Sequence, residues 1–140
     1  MKVKIISDLH TEWFGHQTNK AKFKRILDHI FPEQEHDKEC VLVCAGDMGK
    51  FHNSYDNSLK TLFKEFSKRF QYVIMVPGNH EYYGSTGIWR KESDFWSQKS
   101  KLPDNVSFLD MDYKIIDDVM FIRAGSLSAP AEVSAVIFVS

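Results

Sequence analysis

Three short polar clusters, Asp8-Leu9-His10, Gly46-Asp47-Met48 and Gly78-Asn79-His80-Glu81, each follow an apolar run and each offer hard oxygen or imidazole donors. Together they supply most of what two-metal hydrolysis of a phosphoester requires. That reaction needs negative oxygens neutralised, a water activated near neutral pH and a departing alkoxide stabilised. Two divalent ions roughly 3.5–4 Å apart do all three. A shared carboxylate is the natural bridge between such ions, and Asp47 is the candidate. Asp8 and His10 are two residues apart, so an extended backbone sends both side chains to one side, where they reach a single ion. Asn79 adds a neutral amide oxygen, a useful ligand where stronger donors already hold the metal. His80 follows directly, so its ring points elsewhere, toward the scissile phosphate, as an acid for the leaving group. Gly46 and Gly78 let the backbone turn sharply beside the ions.

Each cluster alone has a plain structural reading. Asp8 caps a loop, Gly46-Asp47 is a turn after a strand, and Gly78-Asn79 is a common turn dipeptide. Their placement tells against that reading. Lys4–Ser7, Val41–Ala45 and Tyr72–Val76 are continuous apolar stretches, the pattern of strands covered on both faces. Between the first two, Phe23, Ile26, Leu27 and Ile30 recur at helical spacing, with Thr18 or Asn19 as a cap and Pro32 as a stop. Leu59, Leu62, Phe63, Phe66 and Phe70 repeat the pattern between the second and third. The order β-α-β-α-β with right-handed crossovers gives one parallel sheet. Ligands of such α/β sheets collect beyond the carboxyl ends of the strands, where all three clusters fall.

Past Glu81 the pattern weakens. Tyr82 and Tyr83 open a Gly-punctuated loop at the rim of the proposed site, and Trp89, Phe95 and Trp96 read as core positions of a helix. Pro103-Asp104-Asn105 is a turn. Val106–Leu109, Tyr113–Ile116 and Val119–Ile122 read as strands of a meander that opens a second sheet, with a tight turn at Asp117-Asp118. The closing Val136–Val139 run is an aggregation hazard on an exposed edge.

The 140 residues fit one domain, and 18 Lys+Arg against 19 Asp+Glu leave a formal charge of −1. No global field draws in nucleic acid or a membrane surface. The apolar start is too short for a signal sequence or a spanning helix, so a cytoplasmic location is expected. Cys40 and Cys44 would lie roughly 13 Å apart along a strand, too far for a disulfide, and they read as reduced thiols. The charge-dense stretch from Glu33 to Glu39 reads as a solvated loop. His16 and His52 fall on loops, and His29 and His36 on the surface.

With these residues in view, the three clusters resemble the first three signature blocks of the calcineurin-like metallophosphoesterases, in order and spacing, over about residues 3 to 83. Gly78-Asn79-His80-Glu81 is the most specific of them. The resemblance implies an α/β fold, the N-terminal part of a four-layer α/β/β/α sandwich with a two-metal centre between the tops of two sheets. It implies two divalent ions (manganese, iron or zinc), the first held by Asp8, His10 and Asp47, the second by Asp47 and Asn79. His80 would assist the leaving group after a metal-bridging hydroxide attacks phosphorus. Members of the family complete the centre with a later histidine and a Gly-His-x-His block. No histidine follows His80 in this sequence. The expectation is therefore a truncated domain with an incomplete second sheet and a weak second ion. Its substrate would be a phosphorylated small molecule, a nucleotide or a phosphoprotein, with long nucleic acid disfavoured by the absence of a basic cluster near the motifs. The competing expectation is an inactive remnant or binding module retaining at most one metal. Complementation by another chain that supplies the missing imidazoles ranks last.

Overall fold

A computed structural model describes residues 1–14, 19–50, 58–82, 102–110, 112–124 and 135–139. Strand β1 (Lys2–Ile6) is followed by a 3-10 turn (Thr11–Phe14) and helix α1 (Lys20–Ile30), then β2 (Cys40–Ala45), helix α2 (Ser58–Arg69) and β3 (Tyr72–Val76). A fourth strand, β4 (Val106–Phe108), completes a parallel sheet of order β1-β2-β3-β4. Strands β5 (Tyr113–Ile116), β6 (Val119–Ala124) and β7 (Ala135–Val139) form a separate antiparallel sheet.

The expected β-α-β-α-β order holds, with two corrections. First, Val106–Phe108 does not open the second sheet but pairs in parallel with β3, Val73 opposite Val106 and Met75 opposite Phe108. The connection from β3 lies largely outside the described residues. Second, β1 is an edge strand and is not covered on both faces: Ile5 is 62% exposed. Among the described residues the strand pairs with β2 alone. β2 and β3 carry the double burial. Leu42, Cys44, Val73 and Met75 face the helices, where they meet Phe23, Leu27, Leu62 and Phe66. Val41, Val43, Ile74 and Val76 fill the opposite face with Leu109 and Phe121 of β6. Burial on both faces is what an unbroken β-branched run encodes.

Both helices form where expected. Asn19 caps α1, its side-chain oxygen accepting from the Lys22 N–H at 2.8 Å, an arrangement generally worth about 1 kcal/mol. The chain leaves α1 at Phe31, just before Pro32. In α2 the apolar face of Leu59, Leu62, Phe63 and Phe66 is buried. Cys40 and Cys44 are free, buried thiols, and burial pushes the Cys44 thiol well above its ordinary range. His29 and His36 are exposed. The β5–β6 hairpin turns at Asp117-Asp118, with Asp117 at φ 51°. The Val136–Val139 run pairs along β6 and forms the border strand of that sheet. Thr18, His16, His52, Tyr83, Trp89, Phe95 and Trp96 lie outside the described residues.

The Glu33–Glu39 stretch is not simply solvated. Asp37 is buried just before β2, at the amino end of the sheet. Its Oδ2 accepts from Arg69 Nε (2.5 Å) and the Gln34 N–H (3.0 Å), and its Oδ1 from Lys4 Nζ. Arg69 also donates from Nη1 and Nη2 to the carbonyls of Phe31 (2.6 Å) and Pro32 (2.5 Å), with its guanidinium 4.5 Å from the Phe31 ring centroid. Burial alone would raise the Asp37 carboxyl, but the hydrogen bonds from Lys4, Gln34 and Arg69 hold it below the usual carboxylate range.

Candidate metal centre

At the other end of the same sheet, the loops leaving β1, β2 and β3 converge. The first two run side by side, with the N–H groups of Asp8, His10 and Thr11 donating to the carbonyls of Gly46 (3.1 Å), Asp47 (3.0 Å) and Met48 (2.8 Å). These bonds continue the parallel ladder beyond the strands and bring the first two clusters together. The third loop is joined to the second through Glu81, a fully buried carboxylate. Its Oε2 accepts from the N–H groups of Gly78 (2.7 Å) and Asp47 (2.9 Å), and its Oε1 from Met48 (2.6 Å) and Gly49 (3.3 Å). Burial pushes the Glu81 carboxyl up to about 7, against the downward pull of those four amides. In return, Asp47 Oδ1 accepts from the His80 N–H at 2.9 Å.

Close approach explains both glycines. A Cβ on Gly46, which sits at φ 91°, would stand 2.9 Å from the Gly78 backbone, and one on Gly78 would stand 2.5 Å from Asp47 Oδ1. Neither position admits a side chain without parting the loops.

Asp8, His10 and Asp47 are brought together, each with a ligand atom within 4.8 Å of the others. The route differs from the expected strand alternation. β1 ends at Ile6, and Asp8 (φ 57°), His10 (φ 48°) and Asp47 (φ 55°) all adopt left-handed backbone conformations. Among the described residues only one further non-glycine, Asp117 in its hairpin turn, does so. Such conformations cost about 1–3 kcal/mol each and persist where surrounding structure imposes them, characteristically at functional sites. Here the inter-loop hydrogen bonds impose them.

His80 departs from its expected placement. Its ring turns in toward the cluster and packs edge-on against His10, ring centroids 4.4 Å apart at 89°. Its Nε2 meets the carboxylate of Glu12, whose Oε1 also lies 3.5 Å from His10 Nδ1. His10, Glu12 and His80 thus form a second group whose ligand atoms lie within 4.8 Å of one another. Glu12 is not among the residues singled out from the sequence, because it lies in the 3-10 turn Thr11–Phe14 rather than in the polar cluster itself. Its spacing of two residues from His10 and four from Asp8 is the one signal that could have found it. Asn79 lies on the same loop, between Gly78 and His80, and is partly buried.

The residues present suit a divalent ion. His10 Nδ1 and Glu12 Oε2 are both buried and make no hydrogen bond. Buried polar atoms are normally satisfied, so two such atoms in one cluster mark a place made for a further partner. Carboxylates with imidazole are hard to borderline donors of the kind divalent cations accept.

Residues 1–132 match the family described as calcineurin-like phosphoesterase. The chain is also 30% identical over 123 residues to "Uncharacterized protein L509" of Acanthamoeba polyphaga mimivirus, an alignment covering 86% of this chain and 42% of that protein. No solved structure matches. No helix among the described residues is long and apolar enough to cross a membrane.

Proposed function

Because the chain belongs to the calcineurin-like phosphoesterase family, we propose that it is a metal-dependent phosphoester hydrolase whose centre lies at the carboxyl end of its parallel sheet. The observation that carries this reading is the convergence of Asp8, His10 and Asp47 from two separate strand ends. Bound divalent ions would supply charge neutralisation and an activated water. Asp8, His10 and Asp47 would hold the first ion, and Asp47 with Asn79 the second, with the Asp47 carboxylate shared. His80 would hand a proton to the leaving oxygen, and the Glu12 carboxylate at its Nε2 would fix the direction of the ring. The substrate would be a phosphorylated small molecule, a nucleotide or a phosphoprotein, and the whole domain would follow the four-layer sandwich of its family.

One observation favours a second reading, a remnant that keeps a single ion. Both three-residue groups draw on His10, and a neutral imidazole has one lone pair to give. Manganese titration followed by calorimetry, with turnover of p-nitrophenyl phosphate measured alongside, separates the two. A hydrolase binds two ions and turns over in proportion to the second. A remnant binds one at most and shows no turnover. His80→Ala should lower kcat by about 100-fold while metal content stays within twofold of the unsubstituted chain. A comparable loss of metal would move His80 from acid to ligand.

A further inference from the structure

Beside the centre lies an open cleft of about 600 Å³, within the range of small-molecule sites. His10 and His80 form its polar end. Among the described residues the rest of its lining is apolar: Leu9, Trp13, Phe14, Ile26 and Ile30. Leu9 and Phe14 are buried and make the floor, Phe14 being backed by the Phe23 ring at 5.1 Å. Trp13 and Ile30 stand at the rim, 80% and 53% exposed.

Two features separate this cleft from incidental surface. The apolar face of helix α1 runs past the core: Phe23 and Leu27 enter it, Ile26 packs against it and also lines the cleft, and Ile30, one turn on, lines the cleft at its exposed rim. Ile30 therefore contributes little to the core from a position where a polar residue would serve folding as well. The backbone N–H of Trp13 donates to the His10 carbonyl at 2.9 Å, so the residue that carries the indole lies on the same short turn as a candidate ligand.

We infer that this cleft receives the alcohol portion of the substrate and selects phosphoesters of uncharged, ring-bearing alcohols. The inference rests on the hydrolase reading, through His80. The residue proposed to protonate the leaving oxygen also lines the cleft, so the group attached to that oxygen must extend among Trp13, Phe14, Ile26 and Ile30. Beyond the two histidines, a sugar or a charged group would shed its water without gaining a hydrogen-bond partner from the described lining. A flat ring would displace water from apolar walls and stack against the exposed indole.

The test compares two esters of primary alcohols, so that leaving-group acidity does not decide the result: 2-naphthylmethyl phosphate and 2-methoxyethyl phosphate, with manganese. Binding of the non-hydrolysable 2-naphthylmethylphosphonate and of methylphosphonate is measured by calorimetry in parallel. The chain should prefer the naphthyl ester by at least about tenfold in kcat/KM. Trp13→Ala and Ile30→Asp, both at exposed positions and checked for unchanged circular dichroism, should each cut that ratio about fivefold and weaken the naphthyl phosphonate to a similar degree. Equal turnover of the two esters, or a ratio that stays within twofold in both variants, overturns the cleft assignment and leaves the hydrolase reading standing. If neither ester turns over but the naphthyl phosphonate binds more tightly than methylphosphonate and both variants weaken it, the cleft stands and the hydrolase reading falls. Equal affinity for the two phosphonates overturns the cleft assignment whatever the turnover.

Discussion

The two ends of the parallel sheet each gather charged side chains, and they treat them in opposite ways. At the amino end, Asp37 and Arg69 are buried and fully engaged, both carboxylate oxygens and the Nε, Nη1 and Nη2 of the guanidinium having partners. At the carboxyl end, His10 Nδ1 and Glu12 Oε2 are buried without a hydrogen bond, and three candidate ligands sit in left-handed backbone conformations. A closed polar cluster has no vacancy for a ligand and serves the fold. An open one, held in a costly backbone geometry, is poised to bind. Charge and burial are shared by the two ends, so completeness of hydrogen bonding is what tells structure from site.

Five substitutions at four positions press on that contrast. Asp47→Asn should remove metal-dependent turnover altogether, at least 1000-fold, and empty the second ion site, because it weakens the one carboxylate both ions would share. Metal analysis of the dialysed protein with an aryl phosphate assay checks this, and undiminished turnover would remove Asp47 from the bridging role. Its stability should change little.

Asp37→Ala should do the reverse. Leaving Arg69 buried without its partner costs about 3–5 kcal/mol in comparable cases, read by urea unfolding, while activity per folded molecule is retained. This end also carries a pH signature. The Asp37 carboxyl is depressed in the folded state, so its stabilisation is complete above its ordinary value of 3.8 and disappears as pH falls through the lower folded value. Asp37→Asn should therefore lower stability at neutral pH and flatten the loss of stability below about pH 4. An unchanged acid limb would mean that the pair is not what holds this end together.

Glu81→Gln lies between the two cases. An amide cannot accept from four N–H groups with both of its heavy atoms, so at least one of the ligand loops loses its tie. A loss of about 2 kcal/mol in unfolding free energy, together with about tenfold weaker manganese binding by calorimetry, is expected. If stability falls and manganese affinity does not, Glu81 belongs to the fold alone. The smallest effect is expected from Glu12→Gln. The His80 ring keeps a polar neighbour but loses a charged one, and the cluster loses one candidate carboxylate donor, so kcat should fall about fivefold with a smaller loss of manganese affinity than in Glu81→Gln.

The strands and helices that position the centre were legible because double burial and helical periodicity are local patterns. Val41–Ala45 and Tyr72–Val76 can be read without knowing their neighbours. What escaped was decided across long stretches of chain. Val106–Phe108 is too short to reveal whether it pairs in parallel or antiparallel fashion, and its partner lies some thirty residues back on β3. Asp37 sits in a polar run that looks solvated until Arg69, 32 residues on, arrives beneath it. Three of the four expected ligands, Asp8, His10 and Asp47, do meet, though through left-handed turns rather than strand alternation. The tendency of Asp to tolerate that conformation was a faint clue. Glu12 and His80 are 68 residues apart, and nothing local announces their contact.

Glu81 has a consequence for how the centre would be filled and emptied. The four backbone N–H groups that donate to its carboxylate join two ligand-bearing loops through the chain's own atoms, so the seat is assembled by folding and does not wait for a cation to draw it together. Chelation should then strip the protein without unravelling it, and one metal should be exchangeable for another in a cradle of constant shape. The identity of the occupant is left to supply and coordination preference.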